Sequence, residues 1–376
     1  MDRAFMRKSF ALIAKGLVEK EDLLRKEPTR YPYSKTLQHG MNMFLSACYH
    51  IGKVENAFQY ANETAFLEEF ITKPIYEWFS DWDKTVIKEM QLQEEPFYAY
   101  DAFAYRRNIH VYLPSADCFE FLDTQDSDIM DGTDEHILYE KMIVLDQIHY
   151  CKVRKYIIEN PIISIDDRRE MSIELADYPA AKEAFQFAYE EVTEDFYRCP
   201  CCGWTMTDGK YGYTCHSTHC VDVLPEFAPS EKTSCTDCNL YRLKKGVMRY
   251  FAAPGKLELE IASFCEKKKI AWSLWPQMDR YDVEIRFSDG TIWEVDAKAY
   301  RNPVALRTKI QNDNGFPDGD YSKGFFVVPD EYVRNQRNYT SIINQVLKTQ
   351  KNVKCVTLRA LKIEINRKEE SLHEEK

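Results

Sequence analysis

Seven of the twelve cysteines crowd between residues 199 and 238, as Cys199, Cys201 and Cys202, then Cys215 and Cys220, then Cys235 and Cys238. A segment this rich in thiols folds around cross-links or around a metal ion, and the compartment decides which. The N-terminal stretch MDRAFMRKSFALIAKGLVEKEDLL has a basic start and an apolar patch. It runs into charged amphipathic sequence without a small-residue cleavage site, so no signal peptide is expected. No run of eighteen apolar residues is present, so no membrane span is expected either. These features predict a cytoplasmic protein, where clustered thiols read as a metal site.

Two closely spaced thiolates on a tight turn present both sulfurs to one tetrahedral ion, and a second such pair closes the shell. Cys199-Pro-Cys-Cys202-Gly203 has the outline of a zinc knuckle. WTMTDGKYGYT then alternates around Asp208-Gly209, a hairpin signal that delivers Cys215 and Cys220 to the same end. The expected shell is Cys199, Cys202, Cys215 and Cys220, a structural zinc with no open coordination position. Cys235 and Cys238 could replace the middle pair, or hold a second ion with His216, His219 or Cys201. Cys48, Cys118, Cys151, Cys265 and Cys355 lie among apolar or aromatic neighbours and read as buried, inert thiols.

Charge divides the chain at about the same place. Residues 1–190 carry 22 basic and 34 acidic side chains, whereas residues 191–376 carry 28 and 27. The overall charge of −11 argues against a protein that simply coats nucleic acid; an acidic half joined to a balanced half suggests two tasks, but on charge alone the plainer reading, an acidic half that is simply a soluble helical domain, ranks higher.

The spacing of apolar residues predicts a mostly helical domain over 1–195, with helices at 2–26, 63–81 and 132–158 and another starting at Asp177-Tyr-Pro179. A strand is possible within 97–114. The zinc module spans 196–245. From 246 to 376 the order is α-β-β-β-α-β-α-β, a mixed α/β sheet with strands at 270–276, 281–287, 291–297, 324–329 and 354–358. The fold class is therefore α+β and multi-domain.

In YDVEIRF, Asp282, Glu284 and Arg286 share one face; in TIWEVDAK, Glu294, Asp296 and Lys298 share one. Ser288-Asp289-Gly290 makes the two strands antiparallel neighbours, which brings Asp282 close to Asp296 and Lys298. Hard cations such as Mg²⁺ take one or two carboxylates plus waters and phosphate oxygens. A lysine there can orient an attacking water or stabilise the developing anion. Glu258 or Glu260, on the preceding helix, could complete the metal shell. The combination points to phosphodiester hydrolysis. Asp279, just before the strand, competes with Asp282.

These residues resemble the restriction-endonuclease-like superfamily, whose motif is an acidic residue followed by Asp/Glu-x-Lys on the next strand. The resemblance implies Asp282 and Asp296 as ligands of Mg²⁺ or Mn²⁺, Lys298 as the catalytic lysine and Glu258 as the helix carboxylate. Over residues 199–330, CPCCGW, the second cysteine pair, RYFAAPGKLELEI and LWPQMDRYDVEIRFSDGTIWEVDAKAYRNP are similar to restriction-endonuclease-related proteins encoded beside bacterial PIWI-RE proteins. Membership of that group implies a DNA endonuclease of a bacterial defence system, acting with a PIWI-like protein and a helicase. The competing expectation is a catalytically silent adaptor that binds DNA or protein through the zinc ribbon. Lys244, Lys245, Arg249, Arg301 and Arg307 are candidate phosphate contacts, each weighed against an ordinary solvated charge.

Overall fold

The computed structural model describes residues 3–26, 33–108, 111–124, 134–209, 212–215, 220, 232–233 and 239–374. Cys235, Cys238, His216 and His219 lie outside the described residues. The chain separates into two compact units, one of Met1–Asp131 with Tyr300–Asp313, the other of Gly132–Ala299 with Asn314–Lys376. Among the described residues, no helix is long and apolar enough to cross a membrane.

The first unit is helical, as its periodicity predicts, and is built on an aromatic core. The helices Arg3–Lys26 and Lys35–His50 lead it. The Phe10 ring lies 4.7 Å from Phe97, 5.2 Å from Trp78 and 5.6 Å from Phe44. The expected helix over 63–81 is interrupted. Glu63–Phe66 opens into a π turn over Leu67–Ile71, and a 3-10 segment, Ile75–Phe79, resumes after Pro74. Proline has no N–H to offer the turn before it, so the helix cannot run through. Strands Ala104–Asn108 and Val111–Pro114 pair antiparallel within the region where a strand was possible.

This unit also holds a piece of chain from far downstream. Buried Glu120 accepts hydrogen bonds from the amides of Arg301 at 2.6 Å and Asn302 at 3.0 Å. Burial, and then Asp117, push its carboxyl up to about 8, against the pull of those amides. Asn302 caps the helix Pro303–Asn312 by accepting from the Val304 amide. That helix buries Pro303, Ala305, Leu306 and Ile310.

The second unit begins with the helices Asp134–Ile143, Gln147–Glu159, Ile165–Glu174 and Pro179–Ala188. The expected helix over 132–158 is split because Asp146 caps a new start, accepting from the amides of Ile148 and His149. An antiparallel sheet, in the order Ile162–Ser164, Leu240–Leu243, Tyr189–Glu191, packs with these helices. A second sheet runs Gly212–Cys215, Thr205–Gly209, Phe196–Arg198, Lys232–Thr233. Within its hairpin Asp208 pairs with Tyr213 and Gly209 with Gly212, so both residues lie in the strand and not in a turn.

The C-terminal sheet has the expected mixed order. Ala271–Leu274, Val283–Arg286 and Ile292–Ala297 are antiparallel neighbours, and Lys323–Val328 and Val353–Thr357 add in parallel. Val283, Ile285, Trp293, Val295, Phe325 and Val327 make one buried face. Ile261 and Cys265 of the helix Ala253–Lys268, with Leu361 and Ile365 of the helix Leu358–Glu374, belong to the same core.

Candidate functional site

The thiols come first along the chain. Cys199, Cys202, Cys215 and Cys220 place their sulfurs within 4.8 Å of one another. Gly203 closes the first turn at φ +76°, a conformation costly for any residue with a Cβ, and its amide donates to the Cys199 carbonyl at 2.7 Å. The Cys202 and Cys215 sulfurs are 3.5 Å apart. Four converging thiols, three of them buried, are a soft donor set of the right size and type for one tetrahedral zinc. Lys256, on the following helix, donates to the Cys202 carbonyl at 2.7 Å and fastens the knuckle to that helix.

Two residues further along the same helix, Glu258 is buried in the second polar centre. The helix comes close to the Gln147–Glu159 helix at Gly255, where a Cβ would fall 2.4 Å from Cδ1 of Ile158. That approach brings Glu258 to Arg154. One guanidinium nitrogen of Arg154 lies 2.9 and 3.1 Å from the two Glu258 oxygens and 3.6 Å from Oδ1 of Asp282. The other donates to Asp279 and, at 2.7 Å, to the Tyr150 hydroxyl, which itself donates to Asp279 at 2.8 Å. The Trp275 indole N–H donates to Glu258. Burial alone would disfavour the Arg154 charge, but Glu258 and Asp279 hold it protonated well above its usual range.

Asp282 and Asp296 face each other across the two antiparallel strands, since Val283 pairs with Val295 and Asp282 donates its amide to the Val295 carbonyl at 3.0 Å. Oδ2 of Asp282 accepts from the Ala297 amide at 2.6 Å. Burial, then the charges of Glu258 and Asp296, raise the Asp282 carboxyl well above its ordinary value. Lys298 lies 2.7 Å from Oδ1 of Asp296, and its own amide donates to the Val327 carbonyl, extending the parallel ladder. Glu260 instead points to Lys362, 2.7 Å away.

Asp279 reaches this centre through a contorted segment. Trp275, Gln277, Met278 and Asp279 all have φ between +49° and +66°. Each non-glycine residue in that region costs about 1–2 kcal/mol. Gln147 holds the segment by donating to the Trp275 carbonyl and accepting from the Met278 amide, both at 2.8 Å. Sequence reasoning missed Arg154, Tyr150 and Gln147. The available signal was Arg154 itself, a cation one turn after Tyr150 and one before Ile158 on a stripe whose other members are apolar.

The expected phosphate contacts divide. Lys245 and Arg249 are buried, and burial, then Arg249, pull the Lys245 ammonium well below its usual value. Lys244 lies 3.4 Å from Asp134 and over the Phe187 ring. Lys245 and Arg249 are therefore withdrawn from solvent, while Lys244 stays partly exposed beside Asp134. Arg301 and Arg307 lie in the other unit.

One rank along the sheet from Asp282 and Asp296, Glu284 and Glu294 are directly paired and both buried. Among the described residues, Oε2 of Glu294 has no hydrogen-bond partner. Burial, then the Glu284 charge, push the Glu294 carboxyl up to about 8. Its folded value lies above the unfolded one of about 4.3, so its stabilising contribution is complete below that pH and is lost as pH rises towards 8. The melting temperature should fall between pH 5 and pH 8.5, and Glu294→Gln should shrink that fall by about 3–6 °C. An unchanged pH profile in the variant would count against a protonated Glu294.

A mixed sheet carrying a facing carboxylate pair and a lysine is the arrangement the sequence resemblance implies, and the comparison with protein families is consistent with it. Residues 255–373, a stretch that leaves out both the thiol cluster and Arg154, match the family described as REase associating with pPIWI_RE. The resemblance read from the sequence thus recurs in an independent comparison. No curated protein and no solved structure matches the chain.

Proposed function

We propose that the chain is a divalent-metal-dependent endonuclease that hydrolyses DNA, the nuclease subunit of a bacterial defence system that acts with a PIWI-like protein and a helicase. The observation that carries this reading is the opposition of Asp282 and Asp296 on adjacent strands, with Lys298 2.7 Å from Asp296, inside the matched segment. Two facing carboxylates suit a hard cation that keeps several waters and takes phosphate oxygens. Such an ion, Mg²⁺ or Mn²⁺, supplies an activated water and neutralises charge on the phosphate.

The protein's own groups do the rest. Asp282 is held in place by the Ala297 amide, which donates to its Oδ2. Asp296 holds the Lys298 ammonium where it can orient the attacking water and then stabilise the anion that develops. Glu258 serves as the helix carboxylate by fixing Arg154 beside the pair. In this reading residues 196–245 form a zinc ribbon that is structural, residues 246–376 carry the cut, and the acidic residues 1–195 bind the partner.

Incubating single- and double-stranded DNA with the protein, with and without its partners, in Mg²⁺, Mn²⁺ or chelator tests the proposal. Metal-dependent cutting is expected, with Asp296→Asn and Lys298→Met each slower by about 10²–10³-fold. RNA and hybrid competitors define the substrate. No metal-dependent cutting even with partners present would leave the silent adaptor as the better reading.

A further inference from the structure

Arg154 stands where a second cation would be expected among carboxylates, and its setting is built rather than incidental. Its side chain is 9% exposed. The guanidinium lies 4.8 Å from the Trp275 ring, 5.1 Å from Phe251 and 5.8 Å from Tyr150, an aromatic lining that favours a weakly hydrated planar cation. One of its nitrogens reaches both oxygens of Glu258 and the other reaches Asp279. Among the described residues, the cysteine quartet is the sole group of three or more metal-ligating side chains whose donor atoms converge as a shell requires. The oxygens of Glu258, Asp282 and Asp296 therefore do not converge on one point.

The charges give a second, independent constraint. Glu258, Asp279, Asp282 and Asp296 bring four carboxylates, and Arg154 and Lys298 bring one positive charge each. With all four ionised, two negative charges remain, which one divalent cation would balance. Displacing Arg154 to admit another would break its buried ion pair with Glu258 and leave that carboxylate buried without its partner, at a large cost.

We infer that Arg154 is a fixed internal cation that takes the place of a second metal ion, so that the centre binds a single divalent cation between Asp282 and Asp296, with Glu258 as a positioning residue for Arg154 and not a ligand. This rests on the metal-dependent reading above but makes a separate claim about stoichiometry and ligands.

Mn²⁺ binding to the full-length, zinc-loaded chain provides the test, read by loss of the free-ion signal in electron paramagnetic resonance and by calorimetry. One Mn²⁺ per chain is expected. Asp282→Asn and Asp296→Asn should each weaken its Kd by tenfold or more, whereas Glu258→Gln, which can still accept from Arg154, should change it less than about threefold. Retained zinc and an unchanged circular dichroism spectrum verify that each variant is folded. Two Mn²⁺ per chain, no bound Mn²⁺, or a loss in Glu258→Gln equal to that in Asp296→Asn would each overturn the inference. The nuclease reading stands apart, because it is judged by cutting: one bound ion without cleavage defeats that reading alone, and two bound ions with cleavage defeat only the stoichiometry.

Discussion

Stripping zinc should unfold much more of the second unit than the cysteine loops. Cys199, Cys202 and Cys220 are not an appendage; they belong to one buried cluster with Trp204, Phe185, Leu243, Met248 and Trp275. The Trp204 indole donates to the Leu243 carbonyl at 3.1 Å, which ties the knuckle to the sheet beside it. Structural zinc in small modules contributes about 10–16 kcal/mol of folding free energy at neutral pH. Without an ion, four thiols within 4.8 Å of one another would have no bonds to hold them together. The chain should purify with about one zinc by elemental analysis. Cys199→Ser or Cys220→Ser should remove it and lower the melting temperature by roughly 10 °C or more. A strong chelator should reproduce the loss, and zinc should reverse it. Wild-type protein with almost no zinc but an unaltered melting temperature would refute the metal site.

The second large effect belongs to Arg154. Replacing it with methionine keeps most of the stem but leaves Glu258 and Asp279 with no guanidinium partner, Glu258 almost wholly buried. Removing one partner of a buried ion pair costs about 3–5 kcal/mol, since the remaining charge cannot be solvated. Burial already raises the Glu258 carboxyl while the arginine is present, with Arg154 pulling in the opposite direction. Without that pull, Glu258 should take up a proton at higher pH. Arg154→Met should therefore lose about 3–5 kcal/mol in chemical denaturation near pH 8, and less near pH 5, where a neutral Glu258 is tolerated. Arg154→Lys should recover part of the loss, because an ammonium restores the charge but not the planar fork. An Arg154→Met protein as stable as wild type at pH 8 would mean that the cluster is solvated and the ion pair incidental.

These two centres were unequally legible in the sequence. The cysteine quartet could be read because knuckle and hairpin are local devices, each contained within a few residues. The facing of Asp282 and Asp296 could be read for the same reason. Ser288-Asp289-Gly290 sets the strand register, with the Asp289 carboxylate accepting the Thr291 amide at 2.9 Å, and side-chain alternation does the rest. Arg154 was hidden, and Asp279 was legible only as a rival to Asp282, because their meaning is non-local. Arg154 lies 104 positions from Glu258 and 125 from Asp279 along the chain. Asp279 also depends on a left-handed backbone segment that no residue preference signals. The terminal helix Leu358–Glu374 went unread although Leu358, Leu361, Ile365 and Leu372 mark an apolar stripe. Its charged residues, Lys362, Glu364, Arg367 and Lys368 among them, outweighed that stripe in a linear reading.

The loan of residues 300–313 to the first unit sets a rule for dissecting the protein. A fragment ending near residue 195 would leave Glu120 without the amides of Arg301 and Asn302, its acid deprived of both donors. A fragment starting near residue 246 would carry the helix Pro303–Asn312 with its apolar side chains uncovered, and would lack Arg154 altogether. Neither cut separates a self-sufficient piece. Co-expressed halves offer a better route than truncation, because together they keep Glu120 with the amides of Arg301 and Asn302 and Arg154 with Glu258.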